Sequence, residues 1–560
     1  MTVFRKPISV ILDSNIVKNG KTLLSGIDPI RRADKTADAV SVKERTLFLC
    51  PSPLYGYGIS RLLSRLENET KGCAVLCMEA DPELYELTLN NIDPSLVKNK
   101  NFKLTNICKA EELLALISAQ WGELSFRRVE MIKFTGGWQL FPEIYESVCE
   151  SLRDEIATGW SNALTLTKFG RLYIRNALRN IRLVSRFSSV DSLSFGDETV
   201  LVLGAGPSLD DILDKIKAER RFKIICVDTC LGALKDRGIV PDLVVILESQ
   251  HWNLRDFIGC GGWNVKTAVD LSSLPATAEN LSGGGYLFFT PWTKLRIFER
   301  LRRAGLLPAV FPPLGSVGLS AVELARRLTR GRIICVGIDF SYTADKYHAR
   351  STPGHRGRLN AQTRLRRIFN TAAFGSSSIA AISKTGLPVY TGAIMKNYRS
   401  LFENEFASDP RIFDIESTGL PLGLKTLSMN EAMDMLKIEN EKFPQTSNQR
   451  FGEDAEDAQG KGEFSSSMRF SRQQCLCEKN SELNHFFESE KNRLMELRGI
   501  LTGENVTDKE RLNILIDECD YIWSHFPDCA GGRKPDPKDV SFLKRVRAEI
   551  DPMLKLFNAI

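Results

Sequence analysis

The sequence lacks the features that mark secreted, membrane-spanning and nucleic-acid-binding proteins. No apolar run is long enough to cross a bilayer, and the apolar stretch at residues 8–12 is too short for the core of a secretory signal. A net charge of +6 over 560 residues is small, so charge alone predicts neither a nucleic acid nor a membrane surface as a partner. We expect a cytoplasmic protein without a transmembrane segment.

Paired cysteine motifs are also missing, although the chain contains 13 cysteines. Cys50, Cys226 and Cys335 lie inside apolar runs that predict buried strands. The closely spaced pairs at 73/77 and 475/477 have no second pair at the distance that a zinc site requires. We therefore expect reduced thiols and no metal bound through cysteine. A requirement for Mg²⁺ is left open.

The most informative segment that is present covers residues 199–211. An apolar run stops there at a Gly-Ala-Gly-Pro-Ser sequence, and a helical pattern begins. Gly204 and Gly206 allow a ligand to approach the backbone closely. The helix that follows Pro207 and Ser208 directs its N–H groups and the positive end of its dipole toward an anion. These four residues are predicted to bind a nucleotide phosphate; the alternative is that the turn needs small residues for packing alone.

Four further apolar runs end at acidic residues, namely Asp228, Glu248, Asp270 and Asp339. The runs alternate with helical patterns, which is typical of a parallel sheet covered on both faces, and ligands bind beyond the carboxyl ends of such strands. We predict an α/β protein with a central Rossmann-like parallel-sheet domain, preceded by a smaller Rossmann-like α/β domain and followed by a helical bundle. Any one of these acids alone could equally be a helix cap or a solvated turn residue.

The segment after Asp339 is rich in polar side chains and contains two of the five histidines. Tyrosine hydroxyls, an arginine and a protonated histidine can stabilise the negative charge that develops when a glycosyl–phosphate bond breaks. The candidates for this task are Tyr342, Tyr347, His348 and Arg350. An acceptor hydroxyl would also need a base, and Asp228, Glu248 and His348 remain open alternatives.

Five short motifs follow one another along the chain: LGAGPSL from Leu203, VDTCLGAL from Val227, RGIVPDL from Arg237, GSV from Gly315 and GIDFSY from Gly337. In these motifs the chain resembles the motility accessory factor (Maf) family, over roughly residues 40–400. The resemblance implies a flagellin glycosyltransferase that moves a nonulosonic acid of the pseudaminic or legionaminic type from a CMP-activated donor to Ser or Thr hydroxyls of flagellin. Together with the strand-end pattern, it predicts a donor site at Gly204, Gly206, Pro207, Ser208, Asp228, Glu248, Gly315, Ser316, Asp339 and Arg350.

The glycine turn is also similar to the Gly-Asn-Gly-Pro-Ser turn with which bacterial sialyltransferases hold CMP-sialic acid, but Ala205 here replaces the asparagine. The central domain is similar as well to that of an archaeal pterin diphosphokinase family. Two alternatives to the glycosyltransferase therefore stand. One is a 6-hydroxymethylpterin diphosphokinase-like enzyme that uses ATP and Mg²⁺. The other is a non-catalytic flagellin-binding module, for which the loss of the asparagine is the best argument.

The chain divides into four predicted parts. They are an N-terminal Rossmann-like domain with connecting helices at 1–195, the catalytic domain at 196–425, a helix and mobile linker at 426–470, and a C-terminal helical domain at 471–560. The C-terminal helices are predicted to serve protein recognition or to cap the fold.

Two features of the N-terminal part have open interpretations. The Pro- and Gly-rich turn after Cys50, with Glu79 at the end of the next strand, has the layout of a nucleotide or methyl-donor pocket. A helical stripe of basic residues between Lys168 and Arg182 is either a solvated face or a docking surface for an acidic partner.

Overall fold

The computed structural model of the protein describes residues 11–12, 15–69, 72–216, 222–365, 367, 370–438, 462–503, 509–530 and 535–560. It divides into two compact units, Met1–Gly170 with Trp523–Phe542 and Arg171–Ile522 with Leu543–Ile560. Residues 439–461, which include most of the predicted mobile linker, lie outside the described residues. The four-part division inferred from the sequence stays a prediction.

The first unit contains a four-stranded parallel sheet flanked by helices. The strands of the whole unit are β1 (Ile11–Leu12), β2 (Asn15–Lys18), β3 (Lys21–Thr22), β4 (Thr46–Pro51), β5 (Ala74–Met78), β6 (Phe102–Thr105) and β7 (Arg128–Met131). Its helices are α1 (Pro29–Ala39), α2 (Ile59–Glu69), α3 (Pro82–Asn91), α4 (Pro94–Lys98), α5 (Ala110–Trp121) and the start of α6 (Pro142–Asn180). The parallel sheet has the order β6-β5-β4-β7. Side chains of β4 alternate between two apolar cores, with Phe48 and Cys50 on one face and Leu47 and Leu49 on the other.

The second unit contains a ten-stranded sheet in which every neighbouring pair of strands is parallel. Its strands are β8 (Ser188–Ser189), β9 (Val200–Leu203), β10 (Lys223–Val227), β11 (Leu243–Ile246), β12 (Thr267–Asp270), β13 (Gly285–Phe289), β14 (Ala309–Val310), β15 (Ile333–Val336), and, after the separate antiparallel pair β16 (Ile379–Ile382) and β17 (Pro388–Thr391), β18 (Ile412–Ile415) and β19 (Lys425–Leu427). The order is β14-β13-β12-β11-β10-β9-β15-β18-β19, with β8 beside β13. This confirms the predicted α/β class with a Rossmann-like parallel sheet.

Helices connect these strands and continue beyond them. They are α7 (Asp210–Leu213), α8 (Leu231–Asp236), α9 (Pro275–Ala278), α10 (Arg296–Arg303), α11 (Val317–Leu328), α12 (Pro353–Asn360), α13 (Ala393–Phe406), α14 (Met429–Ile438), α15 (Gly462–Thr502), α16 (Lys509–Glu518), α17 (Asp520–Trp523) and α18 (Val540–Ala559). In the described part of the chain, no helix combines the length and the apolar character needed to cross a bilayer.

The order of the strands defines where a ligand would bind. Strands β9 to β14 follow one another toward one side of the sheet, and β15 then returns to the opposite side of β9. Such a reversal leaves a crevice outside the carboxyl ends of the strands, and ligands of open α/β sheets bind there. The predicted strand-end acids therefore lie along one edge of the sheet, which we call the carboxyl edge.

Two buried asparagines fasten α6 to the carboxyl edge. Asn176 donates its side-chain N–H groups to the carbonyls of Ser249 and Ser272, each at 3.0 Å. Asn180 donates to the carbonyls of Leu271 and Ser273, at 3.0 and 2.8 Å. Because these carbonyls follow β11 and β12, α6 fixes the loops at which those strands end. The basic side chains of the stripe are exposed, and its function stays a prediction.

The C-terminal helices pack against α10 within the second unit. Glu490 of α15 is fully buried and accepts two hydrogen bonds from the Arg300 guanidinium, at 2.6 and 2.8 Å. Arg493 donates to the same carboxylate at 2.7 Å. Asp520 accepts a hydrogen bond from the backbone N–H of Arg296 at the start of α10. Part of the C-terminal region thus belongs to the same compact unit as the large sheet.

Candidate active site at the carboxyl edge

The glycine turn after β9 is occupied by the protein itself. A Cβ atom on Gly204 would lie 2.4 Å from the carbonyl oxygen of Gly337, and one on Gly206 would lie 2.4 Å from a carboxylate oxygen of Asp339. Neither glycine has a positive φ. The two glycines are therefore required for close packing of this turn against the end of β15, which is the packing alternative that the sequence left open.

Asp339 takes the hydrogen bonds that were predicted for a phosphate. Its carboxylate accepts from the backbone N–H of Ser208 at 2.8 Å and from the Ser208 hydroxyl at 2.5 Å. The hydroxyl also accepts from the N–H of Gly337 at 3.1 Å. Asp339 is 3% exposed, and burial raises its pKa while Lys384 lowers it. The contacts with Asp339 favour the packing alternative for this turn, and the phosphate site at Gly204, Gly206, Pro207 and Ser208 stays a prediction.

Asp270 at the end of β12 is satisfied in the same way. One carboxylate oxygen accepts from the N–H and hydroxyl of Ser272, and the other accepts from the N–H and hydroxyl of Thr290. Because all four donors belong to the protein, Asp270 holds two strand-end loops together and has no bond left for a ligand.

Asp228 at the end of β10 differs from both, because one of its carboxylate oxygens has no hydrogen-bond partner among the described residues. The other oxygen accepts from the N–H of Thr229 at 2.8 Å. Burial, together with the nearby charge of Asp256, raises the pKa of Asp228 to about 7. The Asn253 side-chain amide opposes this rise, and its nitrogen, like the second oxygen of Asp228, is buried without a hydrogen bond of normal geometry. A buried acceptor without a donor is costly, and Asp228 is only 2% exposed.

Replacing Asp228 with asparagine is expected to stabilise the free protein above neutral pH. The folded-state pKa of about 7 lies above the unfolded value, so the contribution of the protonated carboxyl is complete in acid and is lost as the pH rises through 7. Asparagine carries no charge and escapes this loss. We expect a gain on the order of 2 kcal/mol at pH 8 and little gain at pH 4, since one pKa unit corresponds to about 1.4 kcal/mol and local relaxation absorbs part of the shift.

Thermal unfolding from pH 4 to pH 8 measures this difference. Asp270→Asn is the matched control, because an amide cannot accept all four hydrogen bonds and should destabilise the protein. Equal destabilisation by both substitutions would show that Asp228 is satisfied in the same way as Asp270.

Glu248, at the end of β11, lines an open cleft at the carboxyl edge. The cleft offers a ligand about 220 Å³, somewhat below the range of about 300 to 1,000 Å³ usual for small-molecule sites. Its walls include Tyr173 and Trp292, whose rings are 5.3 Å apart. Burial and the nearby charge of Glu248 raise the pKa values of Tyr173 and Tyr398. The carboxylate itself is exposed and accepts a hydrogen bond from the N–H of Gln250.

The N-terminus of α11 opens into the same cleft. Gly315 has a φ of +68° and lies against the Tyr398 ring, where a Cβ atom would come within 3.1 Å. Ser316 precedes the helix, and its side chain makes no capping hydrogen bond. Ser320, one turn into the helix, is 1% exposed, lines the cleft, and has a hydroxyl without a partner among the described residues. An anion could accept hydrogen bonds from this helix end and from the Ser320 hydroxyl.

The four candidate catalytic and binding residues in the loop after Asp339 lie in different environments. The Tyr342 hydroxyl is directed to the carbonyls of Ala372 and Thr391, at 3.3 and 3.5 Å, and the side chain is buried. Tyr342 therefore holds the loop in place, and its catalytic role stays a prediction. Arg350 is mostly exposed and donates its backbone N–H to Asp210.

Tyr347 and His348 lie beyond this anchored tyrosine. The Tyr347 ring stacks on Tyr342 with 4.8 Å between centroids, and the His348 ring meets Tyr347 edge-on at 4.9 Å. Burial, assisted by the charge of Arg358, lowers the pKa of His348 to about 4. His348 is therefore neutral at pH 7 and does not carry the positive charge that the sequence interpretation gave it.

The candidate pocket in the first unit is filled by side chains of that unit. Glu79 is 1% exposed and accepts hydrogen bonds from the Ser52 hydroxyl, the Tyr145 hydroxyl and the N–H of Asp81. The nearby Lys18 of β2 pairs with Asp81 at 2.6 Å. The interpretation as a nucleotide or methyl-donor pocket is therefore not supported at Glu79.

Among the described residues, no group of three histidine, cysteine, aspartate or glutamate side chains is arranged to hold a metal ion. Cys226 and Cys335 are buried free thiols within β10 and β15.

Several residues of the cleft escaped sequence analysis. Tyr173, Tyr398 and Trp292 lie far from Glu248 in the chain and in no recognisable motif. Asn176 and Asn180 did leave a signal, because two asparagines one turn apart on the apolar face of a helix need buried partners.

Comparison with known proteins finds a family model that is similar to part of the chain. Residues 173–345 match the family model of the 6-hydroxymethylpterin diphosphokinase MptE-like proteins. The chain is 28% identical over 539 residues to an uncharacterized protein of Treponema pallidum (strain Nichols), covering 94% of this chain and 90% of that protein. A second uncharacterized protein of the same organism is 33% identical over 85 residues, or 15% of this chain and 40% of that protein.

A solved structure extends the similarity to the whole chain. The Maf glycosyltransferase from Magnetospirillum magneticum AMB-1 matches with a TM-score of 0.54 and 14% identity, covering 100% of this chain and 92% of that one. The resemblance to the Maf family, with an MptE-like central domain, is thereby confirmed as a shared fold.

Proposed function

We propose that the protein is a glycosyltransferase that moves a nonulosonic acid from a CMP-activated donor to Ser or Thr hydroxyls of flagellin. The observation that carries the proposal is the cleft around Glu248, where an exposed carboxylate lies beside two tyrosines and the uncapped end of α11. The shared fold with a Maf glycosyltransferase supports the reaction class. In this proposal the transfer takes place in the cytoplasm, before flagellin is exported.

The donor of this reaction carries a phosphate and a sugar carboxylate. We assign its anionic part to the end of α11, where Ser316 and Ser320 lie, because the helix dipole and free hydroxyls favour an anion there. Asp228 has an unpartnered oxygen that a hydroxyl of the donor can satisfy. This arrangement moves the donor site away from the glycine turn and keeps Asp228, Glu248, Gly315 and Ser316 of the predicted set.

The transfer itself needs one proton acceptor. We assign that role to Glu248, whose exposed carboxylate is open to an acceptor in the cleft. The acceptor hydroxyl gives its proton to Glu248 while its oxygen bonds to the anomeric carbon. The bond from that carbon to the phosphate oxygen breaks, and CMP leaves with the electron pair. His348 is the alternative base, since it is neutral at pH 7.

Ligand-dependent thermal shifts test the donor assignment. CMP is expected to raise the melting temperature of the protein more than GDP or UDP does, and Ser320→Ala is expected to weaken CMP binding about tenfold. A hydrogen bond to a charged group contributes about 1.5 to 3 kcal/mol, and its loss lowers the affinity by a factor of at least about ten. Ser282→Ala is the control, because Ser282 is exposed and donates to the carbonyl of Gly262. An unchanged affinity in Ser320→Ala would remove α11 from the donor site.

The match to the MptE-like model favours one alternative, an ATP- and Mg²⁺-dependent diphosphokinase acting on a pterin. Two carboxylates with substrate phosphates suffice to bind Mg²⁺, and Asp228 and Glu248 would be the ligands. A larger thermal shift from ATP with Mg²⁺ than from CMP would favour this enzyme. If no nucleotide raises the melting temperature and the protein nevertheless binds flagellin, it would be a non-catalytic module.

A further inference from the structure

The segment from Phe340 to Phe402 is far more basic than the rest of the chain. It contains ten lysines and arginines but a single acidic residue, Asp345, whereas the whole protein has a net charge of only +6. Several of these cations pair with acids outside the segment, as Lys346 does with Asp210 and Arg356 with Asp236. Others are exposed without an ion pair in the described part of the chain, namely Arg364, Arg367 and Lys396.

Large apolar side chains are exposed in the same segment. Leu365 is 97% exposed, Ile394 69%, Phe374 67% and Ile382 62%. Single exposed apolar residues are ordinary, and these four share one strongly basic segment of the chain.

The β16–β17 pair inside this segment has an open edge. Tyr390 of β17 exchanges both backbone hydrogen bonds with Tyr342, at 2.8 and 2.9 Å, so its N–H and C=O groups point away from β16. Ala380 lies directly opposite Tyr390. In an antiparallel pair, opposite residues either both bond across the pair or both point outward. The N–H and C=O groups of Ala380 and, two residues on, of Ile382 therefore point to the outer edge of β16.

This edge pairs with no other strand of the described residues, and Ala380 and Ile382 are exposed. Proteins usually protect such edges with charged residues or proline, but β16 reads Ile-Ala-Ala-Ile. The small alanine side chains leave the backbone accessible to another strand.

We propose that β16 adds an extended, acidic segment of the acceptor polypeptide as a third strand, with Arg364, Arg367 and Lys396 pairing with its acidic side chains. This proposal rests on the proposed function, because it gives the transferase a polypeptide acceptor. Strand addition supplies affinity through the backbone, and in this proposal the cations of the same chain segment select acidic sequences. An anionic membrane would also bind the cations and the exposed apolar side chains, but it cannot extend the sheet by pairing with the backbone of β16.

The β16–β17 pair lies next to the loop that carries Tyr347 and His348. β17 is bonded to Tyr342, which stacks on Tyr347 beside His348. Neighbouring strands are about 4.8 Å apart, so the added strand would lie about 10 Å from β17. The added strand and the loop that carries Tyr347 and His348 would then flank the β16–β17 pair on opposite sides.

Fluorescence anisotropy of a short labelled peptide, with alternating glutamate and valine around one threonine, tests the proposal. Ala380→Pro removes an outward N–H and no bond within the β16–β17 pair, and proline is tolerated at such a position. We expect it to weaken peptide binding at least about tenfold, whereas Ala380→Val, which keeps the N–H, should bind like the parent. Arg364→Glu with Arg367→Glu should also weaken binding, unlike the control Lys544→Glu with Lys555→Glu, two exposed lysines of α18.

The CMP thermal shift of each variant separates this proposal from the proposed function. An unchanged CMP shift with lost peptide binding supports the docking edge. Equal peptide affinity in Ala380→Pro and Ala380→Val would overturn it, as would parent protein that binds phosphatidylserine vesicles but no peptide. A dimer of the parent that Ala380→Pro dissociates would instead assign the edge to a second copy of this chain. If the parent protein binds the peptide but no nucleotide raises its melting temperature, the docking edge is supported and the transferase is rejected.

Discussion

A Glu248→Gln variant is expected to transfer sugar about 100 to 10,000 times more slowly than the parent, the usual contribution of a positioned base. Glutamine keeps the shape of the side chain and the hydrogen bond from the N–H of Gln250, but it cannot take the acceptor proton. Donor binding should therefore be nearly unchanged, so the loss falls on kcat. Intact-mass analysis of flagellin co-expressed with the variant, in a strain that makes the donor sugar, measures the transfer.

The control for this experiment is Glu279→Gln, which alters an exposed glutamate that pairs with Arg186. Its activity should equal that of the parent. Full modification of flagellin by Glu248→Gln, together with loss of modification by His348→Ala, would transfer the role of base to His348. Unmodified flagellin with the parent protein would favour the kinase or the non-catalytic module.

Glu490→Gln is expected to lower the free energy of unfolding of the second unit by about 3 to 5 kcal/mol. The substitution leaves the Arg300 guanidinium, whose side chain is 15% exposed, facing a neutral amide, and breaking one partner of a buried ion pair has this cost. Glu488→Gln on the same helix removes a largely exposed carboxylate that pairs with Lys491, so it should change stability by less than about 0.5 kcal/mol.

Urea unfolding followed by circular dichroism provides the comparison. If both substitutions have the same small effect, the packing of α15 on α10 contributes little to the stability of the unit. If Glu490→Gln unfolds at markedly lower urea, a chain truncated before α15 should aggregate. The C-terminal helices would then cap the fold in addition to any recognition that they perform.

The sequence predicted the strand-end acids and their common edge, because runs of buried apolar residues alternate with helices and end at these side chains. It could not tell which acids remain free. Asp339 is satisfied by Ser208, and this contact depends on β15 lying next to β9, a fact of strand order that no local pattern contains. Asp270 is satisfied by Thr290 through the neighbouring strand β13 in the same way.

The cleft was hidden from the sequence for a related reason. Tyr173 comes from α6 and Tyr398 from α13, and each is an ordinary aromatic residue of an amphipathic helix until the fold brings it near Glu248. Gly315 and Ser316 were found because the resemblance to the Maf family included them. Composition, spacing and motif thus pointed to the carboxyl edge, and the tertiary structure shows which side chains line the candidate cleft there.

The carboxylate of Asp339 behaves toward the glycine turn as a permanently bound ligand would. Many phosphate-binding turns gain much of their order from the metabolite they hold, so their stability varies with its concentration. In this protein the group that meets the turn is the Asp339 side chain, which is part of the chain and is therefore always present. The protein itself therefore supplies the contacts that order this turn, and no bound anion is needed for them.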